Sequence, residues 1–250
     1  MITISYNYSS NDIEFLEDSI TQAKLITDDI HFSYVNKFFD GTQEDEELIK
    51  ESKKIAHNVN FHEIDFMDLS SQIPDKQTRF KYWHNASRIN NVNNSKYDYV
   101  LFLDGDEILD GLEFKKWIDN GIKNYSSYVF NVYWYFRNKK YQATTWEEGP
   151  VMVNKNLLNQ DDLMNIRERW ALLKNPCNRN TLSLNEQPMI HHYSWAKGNS
   201  EKECEEKLLK KIKSWGHSTD RDWESQIKEE FSRPFSGKDF IHNYNYNILA

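Results

Sequence analysis

A chain of 250 residues, 38% hydrophobic and 28% charged, is long enough to bury a core and too apolar to be a disordered segment. Its net charge of −8 and pI near 5.5 argue against a nucleic-acid binder drawn by phosphate attraction. Two cysteines, Cys177 and Cys204, exclude a disulfide scaffold or a cysteine zinc site. No basic stretch leading into an apolar one opens the chain, and no apolar run approaches the roughly 20 residues that span a bilayer. A cytoplasmic protein without a transmembrane segment is therefore expected.

In chain order, Met1 to Tyr6 reads as a strand with Ile2, Ile4 and Tyr6 on one face. Asn7 to Asn11 is a polar turn. Asp12 to Ile26 has helical spacing, with Ile13, Leu16, Ile20 and Ala23 inward. His31 to Phe38 reads as a second strand. Gly41 breaks the chain, and acidic Glu44 to Glu47 opens a helix reaching Ala56, where negative charge suits the helix dipole. Asn60 to Phe66 reads as a third strand, Pro74 ends a loop, and Lys76 to Asn91 reads as a helix leading to a strand at Tyr97. This alternation predicts a parallel sheet with right-handed crossovers. No Gly-rich phosphate loop of either common type follows the first strand, so a nucleotide would have to be held in another way.

The second half is less regular. Leu112 to Ile122 reads as a short helix and Ser126 to Phe136, rich in β-branched and aromatic residues, as a strand. Thr145 to Pro150 is expected to be a turn before the short apolar stretch Val151 to Val153. Pro188 to Trp195 alternates as a strand carrying His191 and His192. Ser200 to Trp215 is a charged amphipathic helix opened by a Ser200-x-x-Glu203 capping box. Its lysines, Lys202, Lys207, Lys210, Lys211 and Lys213, are interspersed with glutamates and read as a solvated face. Asp222 to Phe231 reads as a last helix. Without a repeat or a low-complexity linker, a single domain over residues 1–250 is expected, divided into 1–110, 111–199 and a helical extension over 200–250.

The stretch around which the chain is organised is Tyr99-Val100-Leu101-Phe102-Leu103, which ends abruptly in Asp104-Gly105-Asp106-Glu107. A short continuous apolar run reads as a strand buried on both faces. In open parallel sheets the ligand crevice lies beyond the carboxyl ends of the strands. Three carboxylates there repel one another unless a cation or solvent screens them. Asp104 and Asp106 point the same way in extended backbone, and Gly105 leaves room for a ligand to approach. A hard divalent cation with oxygen ligands is the simplest account of such a corner, and a solvated acidic turn is the plain alternative.

Strand, helix, strand, helix, then YVLFLDGDEIL resembles the nucleotide-diphospho-sugar transferase fold, the GT-A glycosyltransferases, and among them family 2. Asp104-Gly105-Asp106 matches the DXD motif of that class, and Glu107 follows as in its LDxDE style. The segment TRFKYWHNASRINN resembles the Arg- and Asn-containing helix before the motif, and HHYSWAKG the late His-containing strand. The resemblance spans roughly residues 1–197. It implies an α/β fold with a mostly parallel sheet flanked by helices and a C-terminal helical extension. It also implies a hexosyltransferase that uses Mn²⁺ or Mg²⁺ to move a sugar from a nucleotide sugar, UDP-linked ahead of GDP-linked, to a glycan, protein or lipid hydroxyl.

On that footing Asp106 is expected to bind the metal, and Asp104 to bind it or to hold the ribose hydroxyls. One of His191 and His192, on opposite faces of a strand, would complete the set, with His192 favoured. An inverting transfer needs a carboxylate base, sought in Glu147 or Glu148 beside Trp146, with Glu186 as a further candidate. Arg79 and Lys197 are candidate diphosphate contacts, whereas Arg88 reads equally as a helix-surface residue. Gly105 belongs to the donor-binding turn. The resemblance places Asn7 and Tyr8 against the base. A Gln-x-x-Arg-Trp segment is lacking, although Arg169-Trp170 is a fragment of one, which argues against processive synthesis.

Two other classes fit parts of the pattern. A HAD-like phosphatase also uses an apolar strand ending in Asp-x-Asp, here Asp104 and Asp106, but in this chain the motif comes on the fourth strand rather than the first. A non-catalytic carbohydrate-binding protein would use the 8 Trp and other aromatics alone.

Overall fold

The structure, a computed structural model, describes residues 1–68, 71–72, 76–122, 125–164, 169–214 and 221–249. The first half alternates as expected: β1 (Thr3–Asn7), α1 (Ile13–Lys24), β2 (Ile30–Val35), α2 (Glu46–Ile55), β3 (Asn60–Ile64), α3 (Lys76–Asn94) and β4 (Tyr99–Asp104). The second half runs β5 (Glu107–Leu109), α4 (Gly111–Asp119), β6 (Ser127–Phe136), β7 (Asn138–Asn154), α5 (Gln160–Met164), β8 (Cys177–Thr181), β9 (Ile190–Trp195), α6 (Glu201–Ser214), α7 (Trp223–Phe231) and β10 (Tyr246–Ile248). Side-chain caps hold several helix starts: Asp45, Asp110 and Asp222 each accept from a backbone N–H of the first turn. Ser200 Oγ accepts from Glu203 N at 3.2 Å, as the capping box predicts.

The strands form one curled sheet in the order β3-β2-β1-β4-β7-β6-β9-β5, with β10 beside β7 and β8 beside β6. The pairs β3-β2, β2-β1 and β1-β4 are parallel, and β7 is antiparallel to both β4 and β6. β4 is buried on both faces, which explains its unbroken apolar run. Leu101 and Leu103 pack into one core cluster, with Ile4 and Phe32, while Val100 and Phe102 face another, with Val129 and Val151. This is the α/β class expected, a mostly parallel sheet flanked by helices.

One element departs from expectation. Thr145 to Pro150 is no turn but the middle of β7, which runs unbroken from Asn138 to Asn154. Trp146, Glu147 and Glu148 sit opposite Tyr133, Val132 and Asn131 of β6, with register shifts on either side. The bulged pairing absorbs the Gly149-Pro150 step that reads locally as a turn. A Cβ at Gly149 would come within 3.1 Å of Val132 Cγ1, so glycine permits the close approach.

The C-terminal extension is packed rather than appended. Cys204 and Leu208 of α6 and Ile227 of α7 share a buried cluster with Trp134, Phe136 and Trp195 of the sheet. Arg137, 1% exposed, staples it by donating to the Glu230 and Arg233 carbonyls and pairing with Glu201 and Glu230. Burial of so many aromatics fixes which face of α6 looks toward β9, and that orientation decides the site. Both cysteines are free thiols. Among the described residues no helix is long and apolar enough to cross a membrane.

Candidate functional site

β1 leads by a crossover to β2 on one side, and β3 leads to β4 on the other side of β1. The strand order reverses between β1 and β4, and a crevice opens beyond their carboxyl ends at such a switch point. Asn7 and Asp104 are register partners there, and Gly105 N donates to Asn7 O at 2.9 Å. A cleft of ≈ 310 Å³ opens over this junction. From β1 and its turn come Asn7, Tyr8, Ser9, Asn11 and Asp12; from α3 Trp83, His84 and Arg88; and from the acidic corner Asp104 and Asp106. Trp134, His192, Ser194, Trp195, Lys211, Trp223 and His242 line the other side, with Arg169.

The acidic corner balances its own charge. Asp106 Oδ2 accepts from Lys211 Nζ at 2.9 Å and lies 3.7 Å from Lys197 Nζ, while Oδ1 is 3.6 Å from His192 Nε2. Burial works against the charged form of Asp106, yet Lys211, His192 and Lys197 outweigh it and hold the carboxyl well below the usual carboxylate range. Asp104 is likewise lowered, its burial outweighed chiefly by Arg169, with His84 and Arg88. Asp12 moves the other way: burial raises it even though it pairs with Lys197. Asp12, Asp104, Asp106 and Glu107 thus face Arg88, Arg169, Lys197 and Lys211, four carboxylates against four cations.

Three buried polar atoms without a hydrogen-bond partner belong to residues of this cleft: Asp104 Oδ1, Trp134 Nε1 and His242 Nδ1. A ligand bearing hydroxyls would satisfy acceptor and donor alike. The Trp134 ring stands at 86° to both His192 and His242, with centroids 4.6 and 4.5 Å away.

Of the expected site residues, Asp104, Asp106, His192, Asn7 and Tyr8 share the cleft. Asn7 Nδ2 lies 2.7 Å from His84 Nδ1. Tyr8 is 2% exposed, packed edge-on against Phe32 and Phe61, with its hydroxyl 2.7 Å from Ser52 Oγ, so little of it remains for a base. His191 points away, 2.7 Å from the Tyr135 hydroxyl through Nδ1.

Several expectations need correction. Gly105 does not leave room for a ligand: a Cβ there would meet Asp12 Cβ and Oδ2 at 2.9 Å, so the missing side chain makes way for Asp12. Lys197 is 1% exposed and forms the floor behind the cleft, paired with Asp12 and 3.4 Å from Asn11 O. Glu147 and Glu148 do not line the cleft. Glu148 is held by Arg179 and by Asn180 N, which lowers it, and Glu147 accepts from the Tyr244 hydroxyl at 2.8 Å. Glu186 lies outside the cleft lining, in the connection between β8 and β9. The Arg79 side chain lies outside the described residues.

Asp104, Asp106 and His192, the expected metal ligands, line the same cleft. Among the described residues no group of three His, Cys, Asp or Glu is arranged to hold an ion. Asp106 Oδ2 lies 2.9 Å from Lys211 Nζ and 3.7 Å from Lys197 Nζ, whereas Oδ1 faces His192.

Lys211, Arg169, Trp134 and His242 are cleft residues that local sequence reading passes over. A signal for Lys211 exists in hindsight. Cys204, Leu208 and Lys211 are spaced by four and three, so Lys211 shares the buried stripe of α6 rather than its solvated face.

No protein-family model matches the chain, and no curated protein matches it in sequence. Solved structures resemble it. One is the galactosyltransferase LgtC in complex with donor and acceptor sugar analogs, at 10% identity and a TM-score of 0.44, over 83% of this chain and 95% of that one. Another is S. aureus TarS 1–349 in complex with UDP, at 13% identity and 0.44, over 92% of this chain and 70% of that one. A third is the bifunctional IspDF from Campylobacter jejuni, at 10% identity and 0.44, over 86% of this chain and 54% of that one. What the cleft can do follows from its own residues.

Proposed function

We propose that the protein is a glycosyltransferase that binds a nucleotide-diphosphate sugar in the switch-point cleft and transfers the sugar to a hydroxyl acceptor. The observation that carries this is the pairing of two opposite chemistries at one strand end. Asp104 carries a buried carboxylate oxygen without a hydrogen-bond partner, and Lys211, Arg88 and Arg169 bring positive charge to the same cleft. A ribose needs the first and a diphosphate the second.

In this reading Asn7 and Ser9 meet the base side, Asp104 Oδ1 accepts from a ribose hydroxyl, and the sugar lies toward Trp134 and His242. Aromatic walls with a few polar edges suit a sugar, whose ring faces are apolar and whose rim is hydroxylated. The acceptor hydroxyl must lose a proton as its oxygen attacks the anomeric carbon. His242 is the cleft group suited to take it, because burial keeps its ring below the usual histidine range, and so neutral. A divalent metal, which the sequence resemblance implies, would supply charge neutralisation at the diphosphate. At Asp106 the Lys211 ammonium already holds Oδ2, and no step here needs the metal.

The test is calorimetric titration of the full chain with UDP- and GDP-sugars, followed by assay of their slow hydrolysis, which needs no acceptor. Binding and release of the nucleoside diphosphate are expected. Absence of binding to either would overturn the proposal. Turnover of an aryl phosphate that is lost on Asp104→Asn would instead assign the corner to a phosphatase.

A further inference from the structure

Resting on that donor reading, we propose that this cleft carries its counter-cation as a side chain: the Lys211 ammonium, rather than a divalent ion, neutralises the departing diphosphate. Four observations converge. Lys211 Nζ sits 2.9 Å from Asp106 Oδ2, inside the acidic corner that a cation would otherwise serve. Ser194 Oγ, 2.9 Å away, holds the same ammonium from the neighbouring strand, so its position is built rather than incidental. The lysine side chain is 12% exposed and lines the cleft, unlike its solvated neighbour Lys210, at 55%. Behind it, Lys197 Nζ stands 3.7 Å from the same carboxylate oxygen.

Geometry makes a metal a competitor of these ammonium groups. An ion bound to Asp106 Oδ2 at about 2.1 Å would lie within about 5 Å of Lys211 Nζ whatever its direction. Lys211 and Lys197 already place two positive charges at that oxygen, and a further double charge beside them would be repelled by both.

The step is a displacement at the anomeric carbon. The acceptor oxygen forms a bond to that carbon, and the bond from carbon to the diphosphate oxygen breaks with its electron pair. The acceptor proton passes to the base, and the diphosphate leaves with one more negative charge. Lys211, already inside the cleft and aimed by Ser194 and Asp106, meets that charge without reorganising, which is how preorganised cations lower a barrier.

The test is binding of UDP, GDP and uridine to the full chain, measured by calorimetry in chelator and again with added Mn²⁺, for wild type, Lys211→Met and Lys211→Arg. UDP or GDP is expected to bind in chelator within about twofold of its affinity with Mn²⁺, since the cation is covalent. Lys211→Met should weaken the diphosphate at least tenfold while leaving uridine within about twofold, and Lys211→Arg should restore most of the loss. Diphosphate binding that requires Mn²⁺, or that is strengthened by Mn²⁺ in Lys211→Met and wild type alike, would overturn the inference and leave the donor reading standing. No diphosphate binding in either medium would overturn the donor reading itself. Melting curves of both variants separate a folding defect from a lost contact, and a folded Lys211→Met that binds UDP as wild type does would overturn the inference alone.

Discussion

Glu107, fully buried, is clamped by Arg169 through both of its carboxylate oxygens, Nη2 donating to Oε1 at 2.7 Å. The same carboxylate accepts from Asp104 N at 2.7 Å, and Arg169 donates to Phe102 O at 3.2 Å. The last acid of the corner is therefore an anchor rather than a ligand. It fixes the backbone that aims Asp104 and Asp106, and it does so from a residue 62 positions away. Removing one partner strands a buried charge. Arg169→Ala is expected to cost about 3–5 kcal/mol of stability. Chemical denaturation would check this, and a loss under about 1 kcal/mol would show that the pair is not holding the turn.

Asp104→Asn keeps the size of the side chain and removes the charge that makes it a strong acceptor. A charged hydrogen bond lost to a ribose hydroxyl weakens donor binding about 10- to 100-fold. Titration of the variant with UDP checks the figure, and melting curves separate it from the stability lost with a charge that Arg169, His84 and Arg88 favour in the folded protein.

Gly105→Ala tests the packing of the corner. The added Cβ would have to push Asp12 aside at 2.9 Å, and with it the Lys197 pair. Overpacking of this kind costs about 1–3 kcal/mol. The expected outcome is a destabilised protein with weakened donor affinity, since Lys197 backs Asp106. Full stability would mean that Asp12 moves freely.

Glu44 gives a pH signature outside the cleft. Burial raises its carboxyl to about 7, against accepting hydrogen bonds from Ser10, and one of its oxygens has no partner. The folded pKa lies above the unfolded one. Its contribution is therefore full below the ordinary value of 4.5 and is lost as pH rises to about 7. Glu44→Gln should stabilise the protein on the order of 3 kcal/mol at pH 8 and very little at pH 4.5. Melting temperatures of both proteins across that range decide it, and a pH-independent difference would rule the titration out.

His242→Gln removes the proposed proton acceptor while keeping a polar side chain. Turnover should fall about 10²- to 10⁴-fold, with affinity for UDP, which lacks the sugar, nearly unchanged, because the nucleoside diphosphate contacts lie across the cleft. Equal losses in affinity and rate would make His242 a binding residue instead.

The legible part of this molecule was what local pattern controls. The unbroken run Tyr99 to Leu103 reads as a strand buried twice over, and Asp104 and Asp106 follow it to the edge of the sheet. β7 was misread because its middle carries Gly149-Pro150, a turn signal that cross-strand pairing with β6 overrides. Glu147 and Glu148 looked catalytic for the same reason: seen as a turn they are exposed acids beside a tryptophan, but paired in a strand they are bound by Tyr244 and Arg179. Arg169 is illegible as a site residue because its partner lies 62 positions away, and the spacing that puts Lys211 on the buried stripe of α6 does not point to Asp106, 105 positions away. A charged helix shows which residues are polar, and only the packing of Cys204 and Leu208 shows which lysine turns inward.

The most direct test of the donor cleft is a crystal structure with a non-hydrolysable UDP-sugar. The account predicts the ribose on Asp104, the diphosphate between Lys211 and Arg88, and the sugar against Trp134 and His242. A nucleotide bound elsewhere on the molecule, with the junction of β1 and β4 left empty, would contradict it.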